Sequence, residues 1–338
     1  MSKELVYLSD FGVVSSLGKG KAVLWDAVSK GTPSGIKSVT RMGREWSFAL
    51  CQNDKSAEDN RVAALLQVAL EEILPSIHKA IHRWGSSRVG VCVGSCDNGS
   101  EKSFASLGQK RKTGSYPEEY SLQDQQANVP AVFLRRYLGL SGPAYAYSTA
   151  CASSASALAG ARNLIRSGMC DAVIAGGVDI VSDAVALGFA ALEAVSAKPC
   201  NPFSCNRSGI NLGEAAALFL LTREDLFEQS PILSGIGESS DAHHMTAPDP
   251  SGSGAALAMD RALVDAQLEN NAIDYINLHG TGTQLNDAME SRALHKVFEV
   301  IPPVSSTKGI TAHTLGAAGA LELGICWLAL SADITQRL

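Results

Sequence analysis

The chain has 338 residues, 28 Lys+Arg against 34 Asp+Glu (a formal net charge of −6), 46% hydrophobic and 18% charged residues. With 31 Gly and 6% aromatic residues, it is neither a disordered nor a collagen-like chain, and it is long enough for two domains or one large α/β unit built from two halves. Nucleic acid is excluded as a ligand because phosphate binding needs a local excess of positive charge; the nearest approach to one, Lys110–Arg111–Lys112, reads as a solvated loop.

The first residues, MSKELVYLSDFG, carry acidic side chains and lack the apolar run of a signal peptide, so no export is expected. Eight cysteines without a leader then imply reduced thiols and a cytoplasmic setting. In chain order, short β-branched runs bounded by glycine predict strands at Arg88–Val93, Ala144–Ser148, Ala172–Ala175, Ala216–Leu221, Tyr275–Leu278 and Val304–Ser306. Between and after them, Ala- and Leu-rich stretches at helical spacing predict helices at Arg61–Leu74, Ala152–Arg166, Gly254–Ala266, Ala288–Val297 and Leu315–Leu330. This alternation predicts an α/β fold with parallel sheets covered by helices on both faces. The most apolar late segment, GAAGALELGICWLAL, contains Glu322 and falls short of the ~20 apolar residues that span a bilayer, so it reads as a buried helix.

Two stretches resemble each other without forming a strict repeat. AYAYSTAC leads into ASSASALAGARNLI, and PVSSTKGITAHT leads into LGAAGALELGICWLAL. Each places a reactive side chain just before a small-residue helix, which suggests two related halves, 1–230 and 231–338, joined near Glu224–Pro231.

The first of these side chains is Cys151, in Ser148-Thr149-Ala150-Cys151-Ala152-Ser153-Ser154, where a strand turns into a helix. A strand-to-helix elbow exposes a nucleophile, and a helix N-terminus favours its thiolate. The other cysteines read as small packing residues. The pairs Cys92/Cys96 and Cys200/Cys205 lack companions of zinc-ligand type, so no metal is expected. A cysteine nucleophile calls for a histidine close in space. His78, His82 and His295 lie in charged helical segments, and His243 and His244 stand together in a loop without companion ligands. His279, opening His279-Gly280-Thr281-Gly282-Thr283, and His313, within Lys308-Gly309-Ile310-Thr311-Ala312-His313, occupy the glycine-rich strand ends where α/β proteins contact ligands.

STACASS, HGTGT and the Lys308–His313 segment, in that order, resemble the β-ketoacyl-acyl carrier protein synthases of the thiolase-like superfamily. Further matches run from Phe11-Gly12-Val13-Val14-Ser15-Ser16-Leu17-Gly18 through Ala175-Gly176-Gly177-Val178-Asp179, Pro202-Phe203, Arg207-Ser208-Gly209 and Leu212-Gly213-Glu214-Ala215. The segment SSDAHHMTAPDP is similar to the elongating, type II branch. The resemblance implies a layered αβαβα thiolase-like fold and a decarboxylative condensation of malonyl-carrier protein with an acyl chain held on Cys151. It further implies that His279 and His313 polarise the malonyl thioester, and that Lys308 acts electrostatically with Glu322 as its acidic partner. Thr281, Thr283 and, more weakly, Thr246 would hold the pantetheine arm, although the first two residues would also suit a turn that merely satisfies its own backbone. No cofactor is implied. Acyl carrier protein and a second, identical or related, ketosynthase-like subunit are the implied partners.

Relatives of this kind continue through two more strands flanking a Gly-Phe-Gly-Gly-type loop that supplies one N–H of the oxyanion hole. No such motif is present, so the expectation is a fold without its C-terminal strands: a shortened synthase, a short paralogue, or a chain whose edge a partner completes. Asn98-Gly99-Ser100 and TKGITAHTLGAAGALE favour a polyketide or polyene pathway over primary fatty-acid synthesis. A non-catalytic chain-length-factor-like partner is the alternative, and retention of Cys151 weighs against it. A degradative thiolase would need a second catalytic cysteine, for which Cys326, inside a helix, is unsuited.

Overall fold

A computed structural model describes residues 4–31, 35–52, 60–97 and 100–331. Its strands are β1 (Tyr7–Ser15), β2 (Gly18–Lys19), β3 (Lys37–Arg41), β4 (Arg44–Phe48), β5 (Val89–Gly94), β6 (Ala144–Tyr147), β7 (Ala172–Asp179), β8 (Ala215–Thr222), β9 (Ile276–Asn277) and β10 (Val304–Ser305). Its helices are α1 (Lys21–Lys30), α2 (Arg61–Glu71), α3 (Leu74–Trp84), α4 (Ser100–Thr113), α5 (Val129–Tyr137), α6 (Ser153–Arg166), α7 (Asp183–Ala191), α8 (Ser253–Ala266), α9 (Gln284–Val297), α10 (Lys308–Thr311) and α11 (Ala318–Ser331).

The main sheet has the order β2-β1-β8-β7-β5-β6. Its centre, β5, β7 and β8, is buried along every residue, as continuous apolar runs such as AAALFLLT require. The expectation of a purely parallel sheet is corrected. β5 pairs in parallel with β6 and β7, but β8 is antiparallel to both β7 and β1. Apolar runs report burial and carry no sign for strand direction, and the long excursion from α7 through residues 192–214 returns the chain reversed. The reading also missed β1 and the β3–β4 hairpin, whose turn places Met42 and Gly43 at φ 53° and 73°. Lys110–Arg111–Lys112 is the exposed last turn of α4, not a loop.

Helices cover both faces. On one, Leu66, Leu70, Ile77 and Leu134 from α2, α3 and α5 pack on Val91, Ile174 and Leu218, each such side chain worth ~1.5–3 kcal/mol when fully buried. On the other, Ala157 and Ile165 of α6 and Leu321 and Ile325 of α11 pack on Val173 and Phe219. There Phe11 stacks on Phe219 at 5.0 Å and meets the edge of Trp327 at 5.3 Å. Gly324 makes this approach possible, since a Cβ there would lie 2.7 Å from the Phe11 ring. Beyond α6 and α11 the parallel pair β9–β10 is backed by α8 and α9 through Ala256, Leu278, Leu294 and Phe298. The layers are thus α, β, α, β, α. Arg162 of α6 pairs with Asp265 of α8 across them, and residues 231–233, just past the expected boundary, pair back onto Val6–Leu8.

No helix among the described residues is long and apolar enough to cross a membrane. The expected loss of the last strands concerns the chain beyond Ser331, which lies outside the described residues, as do Asn98 and Gly99.

The position of α6 depends on one missing side chain. A Cβ on Gly94, the last residue of β5, would sit 2.3 Å from the Ser153 carbonyl carbon and 2.4 Å from the Ser154 nitrogen. Gly94→Ala therefore has to push the first turn of α6 off the sheet. The expected outcome is a loss of ~1–3 kcal/mol of stability, read as a lower melting temperature, together with an altered alkylation rate at Cys151. An unchanged melting temperature and rate would show that the helix yields freely.

Candidate active site

Cys151 lies at the elbow between β6 and α6. Ala150 before it adopts φ 50°, an unusual conformation for a side chain with a Cβ. Ser153, fully buried, holds the turn: its Oγ accepts from Thr149 N–H at 3.0 Å and donates to the Ala150 carbonyl at 2.6 Å. The elbow is as the sequence implied, but the thiolate is not. Burial pushes the Cys151 thiol up to about 11, against the opposing pull of the Lys308 ammonium, with Asp179 and Glu322 adding to the rise. The desolvation cost exceeds what one helix end returns.

His279 arrives from the turn after β9 and His313 from the segment after α10. A ring nitrogen of each lies within 4.8 Å of the other and of Cys151 Sγ, and the two rings meet edge to face with centroids 5.1 Å apart. Both stay neutral. Burial, reinforced by Lys308, lowers His279 to about 3 and takes His313 well below its ordinary value, with His279 adding to the effect on His313. Their tautomers follow from their neighbours. His313 Nδ1 accepts from Leu315 N–H at 3.0 Å, and His279 Nδ1 lies 3.4 Å from Lys308 Nζ, an obligate donor when charged. In each ring the proton is left on Nε2, giving two N–H donors beside the sulfur.

Lys308 is 1% exposed and pairs with Glu322 on α11, whose carboxyl burial raises despite that partner. Cys151, His279, Lys308, His313 and Glu322, separated by as much as 171 positions, are thereby brought together.

Cys151, His279 and His313 line a cavity of about 530 Å³ with Thr246, Thr281 and Thr283, and with Phe189, Leu192 and Arg207 from the first half. The threonine hydroxyls are partly committed to the fold. Thr283 caps α9 by accepting from Asn286 N–H at 3.3 Å, and Thr281 and Thr283 share a hydrogen bond of 2.9 Å. Thr246 is exposed at the rim. His78, His82, His243, His244 and His295 are exposed and do not line this cavity, although His244 Nδ1 accepts from Thr246 N–H at 3.2 Å at its rim. Cys151, His279 and His313 also form the one group of metal-ligand type among the described residues, but the ammonium beside His279 opposes a divalent cation there.

The residues that sequence reasoning missed are buried carboxylates that accept backbone N–H groups. Glu290 takes His279 N–H at 2.6 Å and Gly280 N–H at 2.8 Å, fixing the start of the HGTGT turn. Asp287 takes Gly282 N–H at 3.2 Å and Phe203 N–H at 2.7 Å. Glu214 takes Cys51 and Val181 N–H groups, both at 3.0 Å, and Asp179 those of Cys96, Asp97 and Gly316. Asp179 and Glu214 stood inside quoted motifs, yet nothing in the spacing marked their carboxyls as loop anchors.

Comparison with known proteins places two family signatures on the chain: Beta-ketoacyl synthase, N-terminal domain, over residues 48–226, and Beta-ketoacyl synthase, C-terminal domain, over residues 231–337. A "3-oxoacyl-[acyl-carrier-protein] synthase 2" of Coxiella burnetii is 32% identical over 98% of this chain and 86% of its own length. A solved structure described as "Ketosynthase (ApeO) in Complex with its Chain Length Factor (ApeC) from Xenorhabdus doucetiae" is similar with a TM-score of 0.90 and 38% identity, covering 97% of this chain and 85% of that one. Another, of a type II PKS acyl-carrier protein in complex with its ketosynthase, has a TM-score of 0.88 and 25% identity over 97% of this chain and 86% of that one.

The charges around the sulfur define a pH signature. Alkylation of Cys151 by iodoacetamide should rise about tenfold per pH unit from about pH 7 to 9, following the thiolate fraction below its pKa; a plateau near neutrality would contradict this. Lys308→Met should slow alkylation further, because it removes the group that favours the thiolate. It should also cost ~3 kcal/mol in urea unfolding by stranding Glu322, with Lys308→Met/Glu322→Gln recovering much of that loss.

Proposed function

The chain belongs to the β-ketoacyl synthase family, and from that membership we propose that it condenses acyl chains, with Cys151 as the nucleophile. The observation that carries this reading is the convergence of Cys151 Sγ with a ring nitrogen of each of two neutral histidines, His279 and His313, within 4.8 Å. Cys151 attacks the acyl thioester of an acyl carrier protein; the new S–C bond forms as the carrier's thiol leaves with the proton. Malonyl-carrier protein then enters the same cavity. Its carboxyl C–C bond breaks, CO₂ departs, and the electron pair moves onto the thioester as an enolate. The two Nε2–H donors match where that negative charge develops, and their neutrality keeps the protons on the donors. The enolate carbon attacks the Cys151 thioester, and the Cys151 thiolate leaves. Every electron pair is accounted for without a redox cofactor.

Thr281, Thr283 and Thr246 stand along the wall that a pantetheine arm would follow, with Lys308 and Glu322 setting the local field. Among the described residues β6 is an edge strand of the main sheet, suited to pairing with an identical or related subunit. The similarity to a ketosynthase solved with its chain length factor supports a heterodimer in a polyketide or polyene pathway. The same similarity, with a thiol held near 11, supports one alternative, a non-catalytic partner of such a pair.

The deciding experiment is intact-protein mass spectrometry after incubation with acyl-carrier proteins of several lengths, combined with CO₂ release from malonyl-carrier protein. The expected outcome is an acyl adduct on Cys151 and none on Cys151→Ala, with His313→Ala losing ~10²–10³ of the condensation rate. No adduct from any carrier protein, and no change in the activity of an assembled pair on Cys151→Ala, would establish the partner role instead.

A further inference from the structure

We propose that Asp179 is a positioning residue that fixes the tautomer of His313 by clamping the turn that follows it. The proposal rests on the condensing reading for its consequence in catalysis, but its structural content stands on the turn itself.

Asp179 ends β7 at the centre of the main sheet and is fully buried. Both its oxygens are used. Oδ1 accepts from Ser95 Oγ at 2.8 Å and from the N–H groups of Cys96 and Asp97, each at 3.0 Å, while Oδ2 accepts from Cys96 N–H at 2.9 Å and Gly316 N–H at 2.6 Å. One carboxylate therefore ties the loop after β5 to the turn after His313. The turn has bonds of its own, from Ala317 N–H to the Thr314 carbonyl at 3.0 Å and from His313 N–H to the Asn211 carbonyl at 2.8 Å, but its backbone is strained. Ala312 has φ 58° and ψ −176°, a region otherwise almost confined to glycine, and Leu315 has φ 53°. The shape matters because it directs Leu315 N–H onto His313 Nδ1 at 3.0 Å. Without that donor the ring is free to carry its proton on Nδ1, and Nε2 becomes an acceptor that repels a developing enolate instead of stabilising it. Space enforces the same arrangement: a Cβ on Gly316 would sit 2.5 Å from Asp179 Oδ2 and 3.1 Å from Cys96 Sγ, so the turn can approach the carboxylate only as glycine.

The charge has a second effect of opposite sign. Asp179 raises the Cys151 thiol, as Glu322 does, while Lys308 lowers it. An acid that helped only the nucleophile would not be placed here. Asp179→Asn is close to isosteric, and its single oxygen can serve the Cys96 and Asp97 amides or the Gly316 amide, not both. It therefore separates the two effects, because the thiol becomes easier to ionise while the histidine loses its setting.

The test uses the full chain labelled with ¹⁵N-histidine. In the wild type, imidazole ¹⁵N NMR should show His313 protonated on Nε2; an Nδ1–H tautomer would overturn the proposal at once, whatever the variants do. In Asp179→Asn, checked for folding by thermal melt, three changes are expected. His313 should show mixed tautomers, condensation should fall about 10–10²-fold, as small misplacements at reacting groups do, and Cys151 alkylation should shift to lower pH. Asp179→Asn/Ala312→Gly, in which glycine adopts the turn freely, should regain part of the Nε2–H population and of the rate, and it carries the test should the single variant unfold. Condensation lost with the tautomer unchanged would reduce Asp179 to a structural residue and overturn the proposal. A wild type that never acylates Cys151 would refute the condensing reading, while the tautomer measurement would still decide the role of Asp179.

Discussion

A buried ammonium organises this protein. Lys308, 1% exposed, sits where Cys151, His279, His313 and Glu322 meet, and its charge reaches all four. Burying it without a partner would be prohibitive, which is why Glu322 projects from α11 to meet it. Its effects pull in one direction. It donates toward His279 Nδ1, reinforces the burial that keeps both imidazoles neutral and offsets part of the desolvation cost of a thiolate. A site of this type needs two N–H donors and a sulfur that can ionise, and one fixed positive charge contributes to both.

The loops that carry these groups are held by a second set of charges. Asp179, Glu214, Asp287 and Glu290 are all buried and accept backbone N–H groups, the first three from segments remote in sequence and Glu290 from the turn just before its own helix. Buried carboxylates are costly unless saturated with donors, and strained backbone persists only when its surroundings over-determine it. Here the two costs offset one another. The turn that contains Ala312 and Leu315, both at positive φ, presents its Gly316 N–H inward, and Asp179 receives it. The site is positioned because these carboxylates tie together the loops that carry its side chains.

Much of this was legible in the residues. β5, β7 and β8 were visible as apolar runs because strands buried on both faces leave no room for polar side chains. α6 and α11 were visible from small-residue helical spacing. The direction of β8 was not, since an apolar run is the same read either way. Nor was β1, although Tyr7–Ser15 is nearly as buried, because its alternation is broken by Asp10 and Gly12. Among the candidate site residues, Cys151, His279 and His313 stood out by their chemistry and strand-end settings and Lys308 by the family resemblance, and the fold brings the four side chains together. Asp179 and Glu290 were passed over because a carboxylate that binds backbone looks, in sequence, like any other.

By itself, then, the sequence determined the α/β class and the most buried strands and helices, and it singled out Cys151, His279 and His313 by residue type and local pattern, with Lys308 and Glu322 added by the family resemblance. Only the tertiary structure decided the protonation states. The helix end at Cys151 suggested a thiolate, and burial instead holds the thiol near 11. The histidine tautomers were likewise beyond any local pattern, because the donor to His279 comes from Lys308, 29 residues away, and the donor to His313 is a backbone N–H aimed by a strained turn. Desolvation and hydrogen-bond direction are properties of packed neighbours, and the packing joins segments that the chain keeps far apart.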